Sequence, residues 1–88
     1  MMNNDIENLK KKLVYRSQYR GTKEMDKLIG SFVLSNINNF NLNELKELEK
    51  FLSIDDDTLY RLYNNQIDTI QNIDQKFTSL YKSHIYKK

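Results

Sequence analysis

A chain of 88 residues holds one hydrophobic core, and at this size folding buries only about 60% of the surface of the unfolded form. The absence of cysteine rules out disulfides and thiolate metal sites, and the absence of proline with only two glycines disfavours strand-rich and collagen-like folds. A net charge of +2 is too small to imply nucleic-acid binding by itself, and no apolar run approaches the ~20 residues that span a bilayer.

Nearly every segment reads at helical period. Asn4 can cap a first helix with Glu7 as its reciprocal partner, and Ile6, Leu9 and Leu13 follow on one face. If that helix continues, Arg16 and Arg20 share the stripe, and Gly21 supplies a left-handed C-terminal cap. Thr22 can cap a second helix, with Glu24 and Asp26 in the first turn, where the macrodipole favours acids. Met25, Leu28, Ile29, Phe32, Val33 and Ile37 form its apolar stripe. After the breakers Asn38, Asn39 and Asn41, the pair Asn41 and Glu44 makes a capping box for a third helix carrying Leu45, Leu48, Phe51 and Leu52. The run Asp55-Asp56-Asp57 offers oxygens to the free N–H groups of a short fourth helix with Leu59, Tyr60, Leu62 and Tyr63. Asn64-Asn65 breaks the pattern again. Ile67, Ile70, Ile73, Phe77, Leu80, Tyr81 and Ile85 then predict a longer last helix from about residue 67, fraying near Lys87. The expectation is an all-α protein, a small compact bundle of about five helices forming a single domain over residues 1–88.

Charge is unevenly spread. Lys10, Lys11, Lys12, Arg16, Arg20, Lys23 and Lys27 make the first part basic, whereas Glu44, Glu47, Glu49, Asp55, Asp56, Asp57 and Asp68 turn the middle acidic. Such a dipolar chain can be steered to a partner with a complementary face, although most of these charges are expected on solvated helix faces. The beginning of the chain, with no signal-peptide core and an early acid at Asp5, predicts a cytoplasmic protein.

Sites of chemistry are hard to find. His84 is the only histidine, so no zinc pair and no supported Ser-His-Asp set exists. The three aspartates lack the spaced ligands, central Gly and closing Glu of an EF-hand loop, and capping is their expected role. Neither glycine lies in a Gly-rich phosphate loop. A helix-turn-helix reading fails because the later helices are acidic and the basic residues do not gather on a recognition helix. The chain is therefore expected to be no enzyme, to bind no nucleic acid and no metal, and to hold no cofactor tightly.

The informative stretch is Tyr15-Arg16-Ser17-Gln18-Tyr19-Arg20-Gly21-Thr22-Lys23-Glu24-Met25-Asp26, a helix end, a glycine turn and a helix start. One reading is local: Gly21 caps, Glu24 and Asp26 complement a dipole, and Arg20 pairs with Glu24. The other is functional. Arg20, Gly21, Glu24 and Asp26 together resemble the Arg-Gly-x-x-Glu-x-Asp signature of the SdhE family, FAD assembly factors of succinate dehydrogenase and fumarate reductase. The resemblance runs on through Phe32, the capped helix from Asn41 to Leu52 and the acid-rich start Asp55-Asp56-Asp57-Thr58-Leu59-Tyr60. Two positions depart from the family pattern: Leu62 stands where a Trp is usual, and Tyr19 where a second basic residue often precedes the Arg-Gly.

The resemblance implies a five-helix bacterial cytoplasmic protein, monomeric when free and not inserted in a membrane. It would bind a flavoprotein subunit and promote covalent attachment of FAD to a histidine of that client. FAD then belongs to the client. The same resemblance points to Arg20, Gly21, Glu24 and Asp26 as the partner-binding patch, displayed outward, with Arg16 as a weaker flank. Two rivals are a helical adaptor of another client, such as a toxin–antitoxin-like partner, and a direct flavin carrier stacking the ring on Tyr15 or Tyr19.

Overall fold

Apolar residues three and four apart fold into five α-helices in the computed structural model of the chain, which describes residues 2–85. These are α1 (Met2–Gln18), α2 (Lys23–Asn36), α3 (Leu42–Leu52), α4 (Asp56–Tyr63) and α5 (Gln75–Lys82), with one 3-10 turn, Ile37–Asn39, directly after α2. Among the described residues there is no strand, so the fold is all-α as its periodicity predicts. The radius of gyration is 12.5 Å, close to the roughly 12 Å of a compact domain of this length.

The helix starts follow the capping chemistry at three of the expected places. Thr22 Oγ1 accepts from the Met25 N–H at 3.2 Å and opens α2. Asn41 and Glu44 form the complete capping box of α3, each side chain accepting from the other's backbone N–H at 2.8 Å. Asp55 caps α4, accepting from the Thr58 N–H at 3.0 Å and the Thr58 hydroxyl at 2.7 Å. Those two donors hold the Asp55 carboxyl below the usual carboxylate range.

Two expectations need correction. α1 begins at Met2, so Asn4 lies inside the helix rather than at its cap, and the helix stops at Gln18, leaving Arg20 beyond it. The buried residue that continues the Ile6, Leu9, Leu13 stripe is Ser17, not Arg16. Its hydroxyl donates to the Val14 carbonyl, which satisfies the group inside the packed face. Ser17 sits where α1 meets α2 across Gly30: a Cβ on that glycine would lie 3.7 Å from the Ser17 carbonyl oxygen and 3.3 Å from Gln18 Cγ. Gly30 is thus the small residue that lets the two longest helices approach closely.

The last helix is the second correction. It spans only Gln75–Lys82, and residues 64–74 form an irregular segment in its place. Asn65 and Asn72 adopt positive φ values of 61° and 69°, a conformation Asn tolerates and a helix does not contain. Ile67, Ile70 and Ile73 still cover the core, half-buried, but from a loop. Its far end is tied to α3, where Lys50 Nζ donates to the Asn72 carbonyl at 2.9 Å and the Asp74 N–H donates to Glu47. Asp74 then caps α5.

The core is aromatic at its centre. Phe32 of α2 lies with its ring centroid 5.9 Å from Phe51, 5.7 Å from Phe77, 5.3 Å from Tyr81 and 5.7 Å from His84, mostly edge to face. Tyr81 is fully buried, and its hydroxyl donates to the Leu59 carbonyl at 2.8 Å. Burial raises its phenol well above the ordinary value. Leu62 is fully buried too, so the position where a Trp is usual is an apolar core position here.

Candidate functional site

The glycine turn between α1 and α2 is built on Arg20. Its side chain is only 8% exposed and points into the corner where α3 ends and α4 begins. Nε donates to Asp56 Oδ1 at 2.6 Å, and the two terminal nitrogens donate to the carbonyls of Leu52, at 2.8 Å, and Ile54. These carbonyls lie at and just past the C-terminus of α3, where a cation offsets the negative end of the helix dipole. The planar guanidinium fork serves all three acceptors at once, which the single ammonium of lysine cannot do. The Arg20 backbone N–H meanwhile donates to Asp26 Oδ1, binding the turn to the first coil of α2.

Gly21 follows with φ +127°, a backbone conformation that L side chains rarely adopt. A Cβ there would meet Asp56 Oδ2 at an ordinary 3.9 Å, so the requirement for glycine is conformational rather than steric. Arg16 reaches the same corner from α1, donating to Ser53 Oγ at 3.2 Å. The outcome is a rigid turn held from below: Arg20 and Asp26 brace it, and Gly21, Thr22, Lys23 and Glu24 stand on the surface.

The expected patch is therefore brought together but sorted into two groups. Gly21 and Glu24 are exposed, Arg16 and Asp26 are half-buried and engaged, and Arg20 is turned inward. Outward display of the Arg20 guanidinium is corrected by these contacts, which pair it closely with Asp56. Asp56 is the residue that sequence reasoning misses. From sequence the triple aspartate is expected to cap as a group, yet the three acids divide the work. Asp55 caps, Asp56 holds Arg20, and Asp57 pairs with Arg61 at 3.1 Å. No local spacing signals a partner 36 residues away.

Beside the turn, Thr22, Glu24, Met25, Asp56, Asp57 and Tyr60 line a shallow open depression. Its polar rim carries the carboxylates of Glu24, Asp56 and Asp57. Among the described residues no group of three or more His, Cys, Asp or Glu is placed to hold a metal ion, and no helix is long and apolar enough to cross a membrane.

The class these features define is a small all-α scaffold that presents one braced turn. Its family follows from comparison: residues 11–84 match the model of the family described as flavinator of succinate dehydrogenase, Sdh5, and the chain belongs to that family. The match contains the whole Arg20 corner, as the resemblance of the Arg20-to-Asp26 stretch implies. Among curated proteins, the chain is similar to succinate dehydrogenase assembly factor 2, mitochondrial, of Dictyostelium discoideum. The two are 29% identical over 80 residues, covering 91% of this chain and 57% of the relative, so the chain spans a little over half the length of that protein. No solved structure matches the chain.

Proposed function

We propose that this chain is a cytoplasmic assembly factor that binds the flavoprotein subunit of succinate dehydrogenase or fumarate reductase and promotes covalent attachment of FAD to it. The observation that carries the reading is the family match over residues 11–84, which takes in the braced turn and every residue that braces it, from Arg16 to Asp56. The covalent chemistry belongs to the flavin and to a histidine of the client, and the chain contributes by favouring a client conformation in which the two are aligned.

Gly21 and Glu24 form the contact in this reading. The backbone of Gly21 lets the client approach closely, and the exposed Glu24 gives the contact its charge. Arg20, Asp26 and Asp56 act one step back by fixing the turn, and Arg16 fastens the end of α1 to α3. A turn already rigid before binding loses little entropy on docking, which favours affinity without a large interface.

Reconstitution tests this directly. Apo-flavoprotein subunit, FAD and a dicarboxylate are incubated with and without the chain, and the intact mass of the subunit is followed. The expected outcome is faster appearance of the flavin-bearing mass with the chain present. Equal rates with and without it refute the assembly role, and co-purification of some other protein in place of a flavoprotein subunit assigns the chain to an adaptor role.

A further inference from the structure

On the side of the molecule formed by α1 and α2, Tyr15 and Tyr19 stand 64% and 67% exposed, with ring centroids 4.6 Å apart. Single exposed apolar side chains are ordinary on a protein surface, whereas a contiguous patch of them marks an interaction site, and neither of these rings belongs to the core. Leu34 of α2, 54% exposed, lines the same groove as both tyrosines, and Leu34 and Gln18 also line the next groove, which leads to the exposed Ile85. Four large apolar side chains thus share one continuous face. Leu42, Tyr60 and Leu80, the other large apolar side chains exposed among the described residues, do not line it.

The charges around this face select its occupant. Lys10, Lys11 and Lys27 line the two grooves; the acids beside them are Glu7, which pairs with Lys10 at 3.9 Å, and Asp26, which accepts from the Arg20 N–H. Lys11 and Lys27 make no ion pair among the described residues. A second copy docked symmetrically would bring two lysine-bearing faces together, a like-charge contact that disfavours self-association. An apolar side chain flanked by carboxylates fits instead. Tyr19 directly precedes Arg20 and Gly21, so the face adjoins the turn along the chain.

Building on the assembly-factor reading, we propose that the Tyr15, Tyr19 and Leu34 face is a second docking surface for the same flavoprotein subunit. It grips an acidic, partly apolar patch of the client while the glycine turn addresses the flavin site. The tyrosines supply rigid contact area at small entropic cost, and Lys11 and Lys27 speed encounter and set register.

The test measures affinity of the full chain for the purified apo-flavoprotein subunit by biolayer interferometry at low and moderate salt, with gel filtration of the free chain alongside. Two double variants are compared with wild type: Tyr15→Gln with Tyr19→Gln, and Lys11→Glu with Lys27→Glu. All four positions are exposed, so melting by circular dichroism is expected to be unchanged. Each variant is expected to bind about tenfold more weakly, and the lysine variant to lose most of the salt dependence. Variants that bind within about twofold of wild type overturn the surface while leaving the assembly-factor reading intact. A wild-type chain that binds no flavoprotein subunit overturns both. A concentration-dependent dimer of the free chain that the tyrosine variant abolishes gives the face to a second copy and overturns the client assignment.

Discussion

Replacing Arg20 by alanine removes a guanidinium from three acceptors at once. The Leu52 and Ile54 carbonyls lose charge-assisted donors, and Asp56 loses its counter-ion. A hydrogen bond to a charged group contributes about 1.5–3 kcal/mol, and breaking a fully buried pair costs about 3–5 kcal/mol. Asp56 is 28% exposed, so water reaches the abandoned carboxylate and the cavity, and the loss falls to about 3 kcal/mol. For a domain of this length that corresponds to a drop in Tm of roughly 12–24 °C. Arg20→Lys keeps the attraction to Asp56 but cannot fork to both carbonyls, so it should fall about midway. Thermal and urea denaturation followed by circular dichroism gives the numbers, and a double-mutant cycle with Asp56→Asn isolates the ion pair. An alanine variant melting within about 2 °C of wild type, or a coupling energy near zero, refutes the view that Arg20 holds the corner.

Further outcomes follow from other parts of the structure. Glu24→Ala should leave helical circular dichroism unchanged while reducing covalent flavin on the client, scored as in-gel fluorescence; unchanged flavin removes Glu24 from the contact. Gly21→Ala should cost about 1–2 kcal/mol in denaturant unfolding through backbone strain at φ +127°, with no steric share. Phe32→Ala, which empties the centre of the aromatic cluster, should cost about 3–5 kcal/mol and leave little folded protein at 37 °C. His84, desolvated beside Phe32 and hydrogen-bonded to Ser31 Oγ at 2.9 Å, has its pKa lowered below 6.5. The unfolded chain therefore binds a proton first, and stability should fall as pH drops below 6.5, a loss complete once the pH passes the folded value. A His84→Gln variant should show a flatter Tm between about pH 7 and pH 5.5, and an identical slope argues against this source.

Helix starts are the most legible feature because caps are local. Thr22, Asn41 and Asp55 each satisfy an N–H three residues on, and that chemistry can be seen within four residues of chain. The extent of the last helix is hidden for the opposite reason. Ile67, Ile70 and Ile73 have helical spacing, yet the segment is rich in Asn, Asp and β-branched residues, and its two positive-φ asparagines unwind it. Asp74, placed like Asp55 ahead of its helix, is the start signal that the sequence does carry. The family signature is legible as a string of residues, but the inward direction of Arg20 is not. Its acceptors lie 32–36 residues along the chain, and only tertiary structure brings them within reach.

The placement of Phe77 and Tyr81 bears on how the protein comes into being. Both rings pack on Phe32, and the Tyr81 hydroxyl is bound to α4, so the middle of the molecule is closed by α5. A nascent chain halted at residue 74 has its first four helices but a hole where those rings belong. Folding must therefore wait for translation to pass Tyr81, and until then the half-made protein leaves its greasiest surface open to chaperones and proteases.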